Sequence, residues 1–182
     1  MKTIADHILD IIQNSVRASA SRIKVAIRES EMDDTLTVEI SDNGNGMDQV
    51  TAKKARDPFY TSRTTRRVGL GLPLFQQNAE QSGGSLHIST LEGVGTTVTA
   101  TFRLSHIDRP PTGDVAGVFL LSAIGQPTIE LSYAHLTGNG CFTLTTTQLK
   151  EALGELPLGA ADIMKGVREL ITNNLESIQA SK

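Results

Sequence analysis

Four segments of the chain alternate apolar and polar residues with a period of two, and this pattern constrains the fold more than any other feature. In residues 21–29 the apolar set is Ile23, Val25 and Ile27, and in 35–44 it is Leu36, Val38 and Ile40. Segments 85–92 and 95–105 repeat the pattern and are joined by a Gly-bounded turn at Glu92–Gly95. Strict alternation predicts strands with one apolar face. Helical spacing appears between them. Ile4, Ile8, Ile11, Ile12 and Val16 predict a helix over residues 3–19. Helix signals return over 47–57 and over 72–84, the latter closed by Gly83 and Gly84.

Residues 108–114, within HIDRPPTGD, have linker composition. They divide the chain into an expected domain at 1–107 and a smaller α+β region at 115–182. In that region 115–124, 128–135 and 140–146 read as strands, and 147–156 and 160–178 as helices. The expected role of this region is either a plain appendage or a docking or dimerisation module.

Composition excludes several classes. Of 182 residues, 38% are apolar and 20% charged, which predicts a packed core rather than disorder. A net charge of −3 and the absence of Trp give no footprint for nucleic acid or an anionic membrane. The apolar uncharged run 115–129 is too short to span a bilayer and contains Gly and Pro. MKTIADHILD has no long apolar segment of the signal-peptide kind, so a cytoplasmic protein is expected. The single cysteine, Cys141, is expected as a small, half-buried strand residue.

Four polar features interrupt this frame in a fixed order. Asp10 and Asn14 sit one turn apart on the first helix. DNGNG follows the second strand, GLGL precedes the third helix, and GVGTT opens the last alternating segment. A lone Gly-x-Gly is commonly a structural turn. All four together carry a specific signal.

Residues 4–104 resemble the ATP-binding domain shared by DNA gyrase, the ninety-kilodalton heat-shock chaperone, MutL and sensor histidine kinases, the GHKL group. ILDIIQNSVRASASRI resembles the N box, SDNGNGM the G1 box, and PFYTSR the F box with the start of the ATP lid. GLGLPLF resembles the G2 box and GVGTTVTATF the closing motif. The later boxes are most similar to histidine kinases, and the first is also similar to MutL.

The resemblance implies a two-layer α/β (α+β) sandwich of the Bergerat type: a mixed, mainly antiparallel sheet with helices on one face. It implies ATP and Mg²⁺ as cofactors. Asn14 is implied as a Mg²⁺ ligand, in keeping with that ion's preference for oxygen donors. Asp10 stands where the hydrolysing members carry a Glu base, with a shorter reach. Asp42 is implied to accept the adenine amine, with Gly44, Gly46 and Met47 around the purine. An ionised carboxylate only accepts hydrogen bonds, which suits adenine at that point. Arg63, Gly69, Leu70, Gly71 and Leu72 are implied at the phosphates and lid, and Thr96 or Thr97 near adenine.

Histidine kinases place a phosphoacceptor His on a helical hairpin before this domain. Only nine residues precede Asp10, and no His here has the sequence context of an acceptor. His7, Asp10 and Asn14 share a helix face, so His7 is read as a neighbour of the phosphate site or as a surface residue. Autophosphorylation within the chain is therefore not expected. Three functional readings stay open. One is a histidine- or serine-kinase-like protein that phosphorylates or reshapes a separate protein partner, by analogy with stand-alone kinases of sigma-factor inhibition. Another is a MutL- or chaperone-like ATPase switch, with homodimerisation. The third is a nucleotide sensor without catalysis. If active, the enzyme is a protein kinase or a weak ATPase.

Overall fold

The computed structural model describes residues 1–48, 51 and 71–181. The expected helix over 47–57 and the lid residues Arg63, Gly69 and Leu70 therefore lie largely or wholly outside the described residues.

The first helix, α1, spans Ile4–Arg17. A capping box starts it: Thr3 Oγ1 accepts the Asp6 N–H at 3.1 Å, and Asp6 Oδ2 accepts the Thr3 N–H at 3.0 Å. Such a cap stabilises a helix by about 1 kcal/mol. The helix ends where Ser19 takes a positive φ of 60°. Strands β1 (Arg22–Ser30) and β2 (Thr35–Asp42) follow as a hairpin. Helix α2 spans Gly71–Gln81, β3 spans Ser85–Leu91 and β4 spans Gly95–Arg103. After the 104–114 crossover come α3 (Val115–Gly125), β5 (Glu130–Thr137), β6 (Gly140–Thr145), α4 (Thr146–Leu153) and α5 (Ala161–Ser177).

All six strands form one sheet, in the order β3-β4-β2-β1-β5-β6. The β1–β5 pair is parallel and the other four pairs are antiparallel, which gives the mixed, mainly antiparallel sheet expected. Register turns the period-two pattern into a core. Ile88, Val98, Ile40, Val25, Tyr133 and Leu144 are successive partners across the sheet. Leu86, Ala100, Val38, Ile27, His135 and Phe142 form the next row. Every residue in both rows is buried. All of them but His135 join Ile4, Ile8, Ile11 and Ile12 of α1, Phe75 of α2, and Phe119 and Leu120 of α3 in one apolar cluster. The opposite face carries small or polar residues such as Thr99, Glu39, Ala26, Ala134 and Thr143.

Three expectations are corrected here. Residues 115–124 were expected as a strand and form α3 instead. A continuous apolar run has no usable period, and what decides is its cap: Asp114 Oδ1 accepts the Gly117 N–H at 2.8 Å. Val115, Ala116, Phe119, Leu120 and Ala123 are then buried at helical spacing. Second, β5 and β6 extend the sheet of β1–β4, and the linker segment is itself bound into the fold. The Ile4 and Ala5 N–H groups, orphaned at the start of α1, donate to Pro111 O at 3.0 Å and Thr112 O at 2.9 Å. Third, Cys141 is exposed, on the edge strand β6. Its side chain lies on the open face, in register with Leu136. Among the described residues no helix is long and apolar enough to cross a membrane.

A buried polar network closes the far end of the sheet. The Tyr133 hydroxyl lies 2.7 Å from His135 Nδ1, and His135 Nε2 lies 2.6 Å from Glu29 Oε1. Both Glu29 oxygens also accept the Ser181 N–H, at 3.0 and 3.1 Å. Burial works to raise the Glu29 pKa, but the hydrogen bonds from His135 and Ser181 outweigh it and hold the group below the ordinary carboxylate value. Burial, followed by the Glu29 charge, pushes the Tyr133 hydroxyl upward.

His135→Ala leaves the Tyr133 hydroxyl without its partner and Glu29 with only the Ser181 N–H, and a loss of roughly 3 kcal/mol is expected in urea unfolding at pH 7. A depressed carboxylate contributes its stability above its unfolded value, near 4.5, and loses it as pH falls through the folded value. Glu29→Gln is therefore expected to flatten the acid limb of the stability profile below pH 4.5.

Candidate functional site

At one end of the sheet the core row turns polar. Thr90, Thr96, Asp42, Ile23 and Leu131 are successive register partners. Asp42 and Thr96 therefore point to the same side as the core, toward the helices, whereas Thr97 faces the other way. Thr96 Oγ1 lies 3.0 Å from Thr90 Oγ1, and Thr90 Oγ1 accepts the Met47 N–H at 2.9 Å.

The Asp42 carboxylate is fixed from two sides. Oδ2 accepts the Ser15 hydroxyl at 2.6 Å, and Oδ1 accepts the Gly44 N–H at 2.9 Å. Ser15 lies on α1 and is 1% exposed, so its bond to Asp42 lies at the helix–sheet boundary. The turn after Asp42 is laced to its neighbours. Asn43 Oδ1 accepts the Ser21 and Arg22 N–H groups at 3.0 and 2.8 Å. The Asn45 N–H donates to Ala18 O at 2.8 Å, and Asn45 O accepts from the Gly93 N–H at 2.8 Å.

The glycines here are required by the chain's own approach. A Cβ at Gly44 would lie 2.6 Å from Ala18 O. Gly46 has φ of 64°, and a Cβ there would overlap the Leu91 carbonyl. The turn thus needs glycine to pass between the end of α1 and the β3–β4 turn.

The second half of the site lies between α1 and α2. Asn14 Nδ2 donates to Asp10 Oδ2 at 3.3 Å, and Asn14 Oδ1 accepts from the Arg17 guanidinium. Gly71, the first residue of α2, abuts Asp10, whose carboxylate occupies the space a Cβ would need. The carboxylate therefore stands beside Gly71, where the described part of α2 starts, and the N-terminal end of a helix favours negative charge. Leu72 and Met47 pack against the core cluster.

His7 is buried, which removes the surface alternative. It is 1% exposed, its ring stacks on Phe75 with centroids 4.6 Å apart, and Nε2 lies 2.9 Å from Asn78 Nδ2. Nδ1 has no hydrogen-bond partner among the described residues. Leaving such an atom unpaired costs about 1–3 kcal/mol. Burial, followed by the N-terminal ammonium, lowers the His7 pKa to about 4 against the weaker pull of Asp6 and Asp10. The ring is therefore neutral near pH 7.

The structure thus groups Asp10, Asn14, Gly71 and Leu72 at one end of the site, and Asp42, Gly44, Gly46, Met47 and Thr96 at the other. Sequence reasoning missed Ser15, Arg17, Asn43 and Thr90. Ser15 and Arg17 flank Asn14 within the same motif, which is the signal that points to them. Asn43 and Thr90 act through tertiary contacts that have no local signature.

A mixed sheet covered on one face, an acidic residue at the end of β2 and an Asp-Asn helix facing a glycine-started helix define a domain of the gyrase, chaperone, MutL and kinase ATPase class. The family model for histidine kinase-, DNA gyrase B- and HSP90-like ATPases matches residues 2–106, and the chain belongs to that family. The histidine-protein kinase AtoS of Escherichia coli K12 is 36% identical over 93 residues, covering 50% of this chain and 15% of AtoS. Sporulation kinase D of Bacillus subtilis 168 is 30% identical over 109 residues, covering 58% of this chain and 21% of that kinase. The chain thus spans less than a quarter of the length of these relatives. The crystal structure of the N-terminal domain of a DNA repair protein shares the fold over 91% of this chain and 59% of its own, with a TM-score of 0.58 and 17% identity.

A buried histidine whose pKa is depressed loses stability for the fold as pH drops. Between its unfolded value of 6.5 and about 4, the unfolded chain binds a proton that the folded chain excludes. At 1.36 kcal/mol per pH unit the total loss is about 3 kcal/mol. His7→Val is expected to remove that part of the slope in urea unfolding between pH 7 and 4.

Proposed function

We propose that the chain binds Mg-ATP in the site between β2, α1 and α2, and uses it to phosphorylate or reshape a separate protein. One observation carries the reading: the two ends of the site have opposite chemical preferences. At the β2 end, Ser15 and Gly44 hold a carboxylate that can only accept, which suits the amine of adenine over the carbonyl of guanine. At the α2 end, a helix N-terminus suits phosphate.

The donor set fits magnesium. Asn14 Oδ1 is a hard oxygen that already faces a cation, the Arg17 guanidinium. No cluster of three or more His, Cys, Asp or Glu that could hold a metal occurs among the described residues, so the remaining oxygens would come from the phosphates and water. Bound there, the ion would neutralise phosphate charge. Asn14 would hold it, Arg17 would turn from Asn14 to the phosphates, and Asp42 would fix the base. The lid residues Arg63, Gly69 and Leu70 are assigned to the same phosphates by family resemblance.

The ATPase switch is the second reading, and Asp10 favours it. Its carboxylate lies against Asn14 and the first turn of α2, where an attacking water would stand. The partner, a phosphoacceptor protein or a second copy of the chain, differs between the readings.

Saturable binding of ATP in preference to GTP is expected by calorimetry. Asp42→Asn, which replaces one of the two carboxylate oxygens by an NH2 donor and removes the charge, is expected to weaken ATP by roughly 10- to 100-fold, equivalent to about 1.4–2.7 kcal/mol. Asn14→Ala is expected to remove the magnesium dependence of binding. With labelled Mg-ATP, label on an added partner supports transfer, and free phosphate lost in Asp10→Ala supports the switch. Wild-type protein that binds no nucleotide at millimolar ATP would overturn both.

A further inference from the structure

The α1 and α2 helices run antiparallel at the site and are tied by two contacts. Asp10 meets Gly71 at the phosphate end, and His7 meets Phe75 and Asn78 about one turn further away. We propose that the His7–Asn78 hydrogen bond is a register pin: it fixes how far α2 slides along α1, and so positions the N-terminus of α2 against Asp10 and Asn14. The proposal rests on the nucleotide reading of that site and assigns His7 and Asn78 as positioning residues for its phosphate end.

Apolar contact is non-directional. Phe75 and the isoleucines of α1 would hold the two helices together and still tolerate sliding. A hydrogen bond of 2.9 Å between two side chains does not. A slide of one residue, about 1.5 Å, would part Nε2 from Nδ2 and move Gly71 off Asp10. The geometry is also a poor choice for stability alone, because His7 Nδ1 is buried with no partner among the described residues. Setting register is the best-attested use of a polar pair inside an apolar contact. Asn78 Nδ2 donates to Nε2 in this arrangement, so the proton of the neutral ring sits on Nδ1. The charged groups nearest the ring in sequence are Asp6 and Asp10 of its own helix, while its partners on α2, Phe75 and Asn78, are uncharged.

The test is the double variant His7→Val, Asn78→Leu, which replaces the pair by apolar side chains and removes both buried polar groups. Thermal stability at pH 7 is expected to be retained. Affinity for AMP is expected to stay within about two-fold, while affinity for ATP falls about ten-fold, because misplacement by an ångström acts on the phosphates and not on the base. The single variant His7→Gln keeps a carboxamide for Asn78 and is expected to restore the ATP to AMP ratio. Equal losses for AMP and ATP, or none, would overturn the pin. Hydrogen exchange in nucleotide-free protein gives a second readout, at equal global stability set with urea. Faster exchange in the first turn of α2 in the double variant supports the pin, and unchanged exchange overturns it. If wild-type protein binds no nucleotide, the nucleotide reading fails and the exchange comparison still decides the pin.

Discussion

The structure depends on β1 being paired along both edges. On one side it meets β2 antiparallel, and on the other β5 parallel. Its backbone N–H and C=O groups are thereby satisfied without solvent, which a strand buried in the middle of a sheet requires. Through β2 it holds β4 and β3, and through β5 it holds β6. The three rows of side chains described under the helices each pass through a β1 residue, Ile23, Val25 or Ile27. The start of β1 is fixed by Asn43, which bonds the Ser21 and Arg22 N–H groups from the turn that also carries Asp42. Anchoring the central strand and placing the Asp42 carboxylate are therefore one event.

The two ends of β1 serve different chemistry. At its start the helix-facing row ends in Asp42 and Thr96, and Asn14 on the covering helix is half-buried. Near its other end Glu29 closes a dry network with His135, Tyr133 and the Ser181 backbone. The first end leaves polar groups where a ligand can reach them. The second satisfies its own. That division leaves the acceptors of Asp42 near the open end of the sheet, while the far end ties together strands that are distant in sequence.

Much of this was legible in the residues. Alternation placed β1 to β4 because each strand has one wet face, and the order of the polar and glycine motifs pointed to the family that the chain belongs to. Residues 115–124 were not legible as a helix, since an apolar run bounded by Gly and Pro satisfies strand and helix alike until Asp114 caps it. The parallel β1–β5 pairing left no trace either, because parallel partners share no turn and are joined here across about a hundred residues. His7 was ambiguous for a related reason. Its spacing put it on the face of Asp10 and Asn14, but only the position of α2 turns that face into an interior. Ser15 and Asn43 read as ordinary polar residues until the ends of α1 and β2 meet.

The placement of Cys141 has a practical consequence. It is the single cysteine of the chain, exposed on the edge strand β6, while the polar row of Thr90, Thr96 and Asp42 runs toward the opposite edge. A thiol-reactive dye would attach there once per molecule, without mutagenesis and without touching the helix-covered side. The fold thus supplies a single point of attachment for a fluorescent reporter, remote from Asp42, for watching the chain meet whatever it binds.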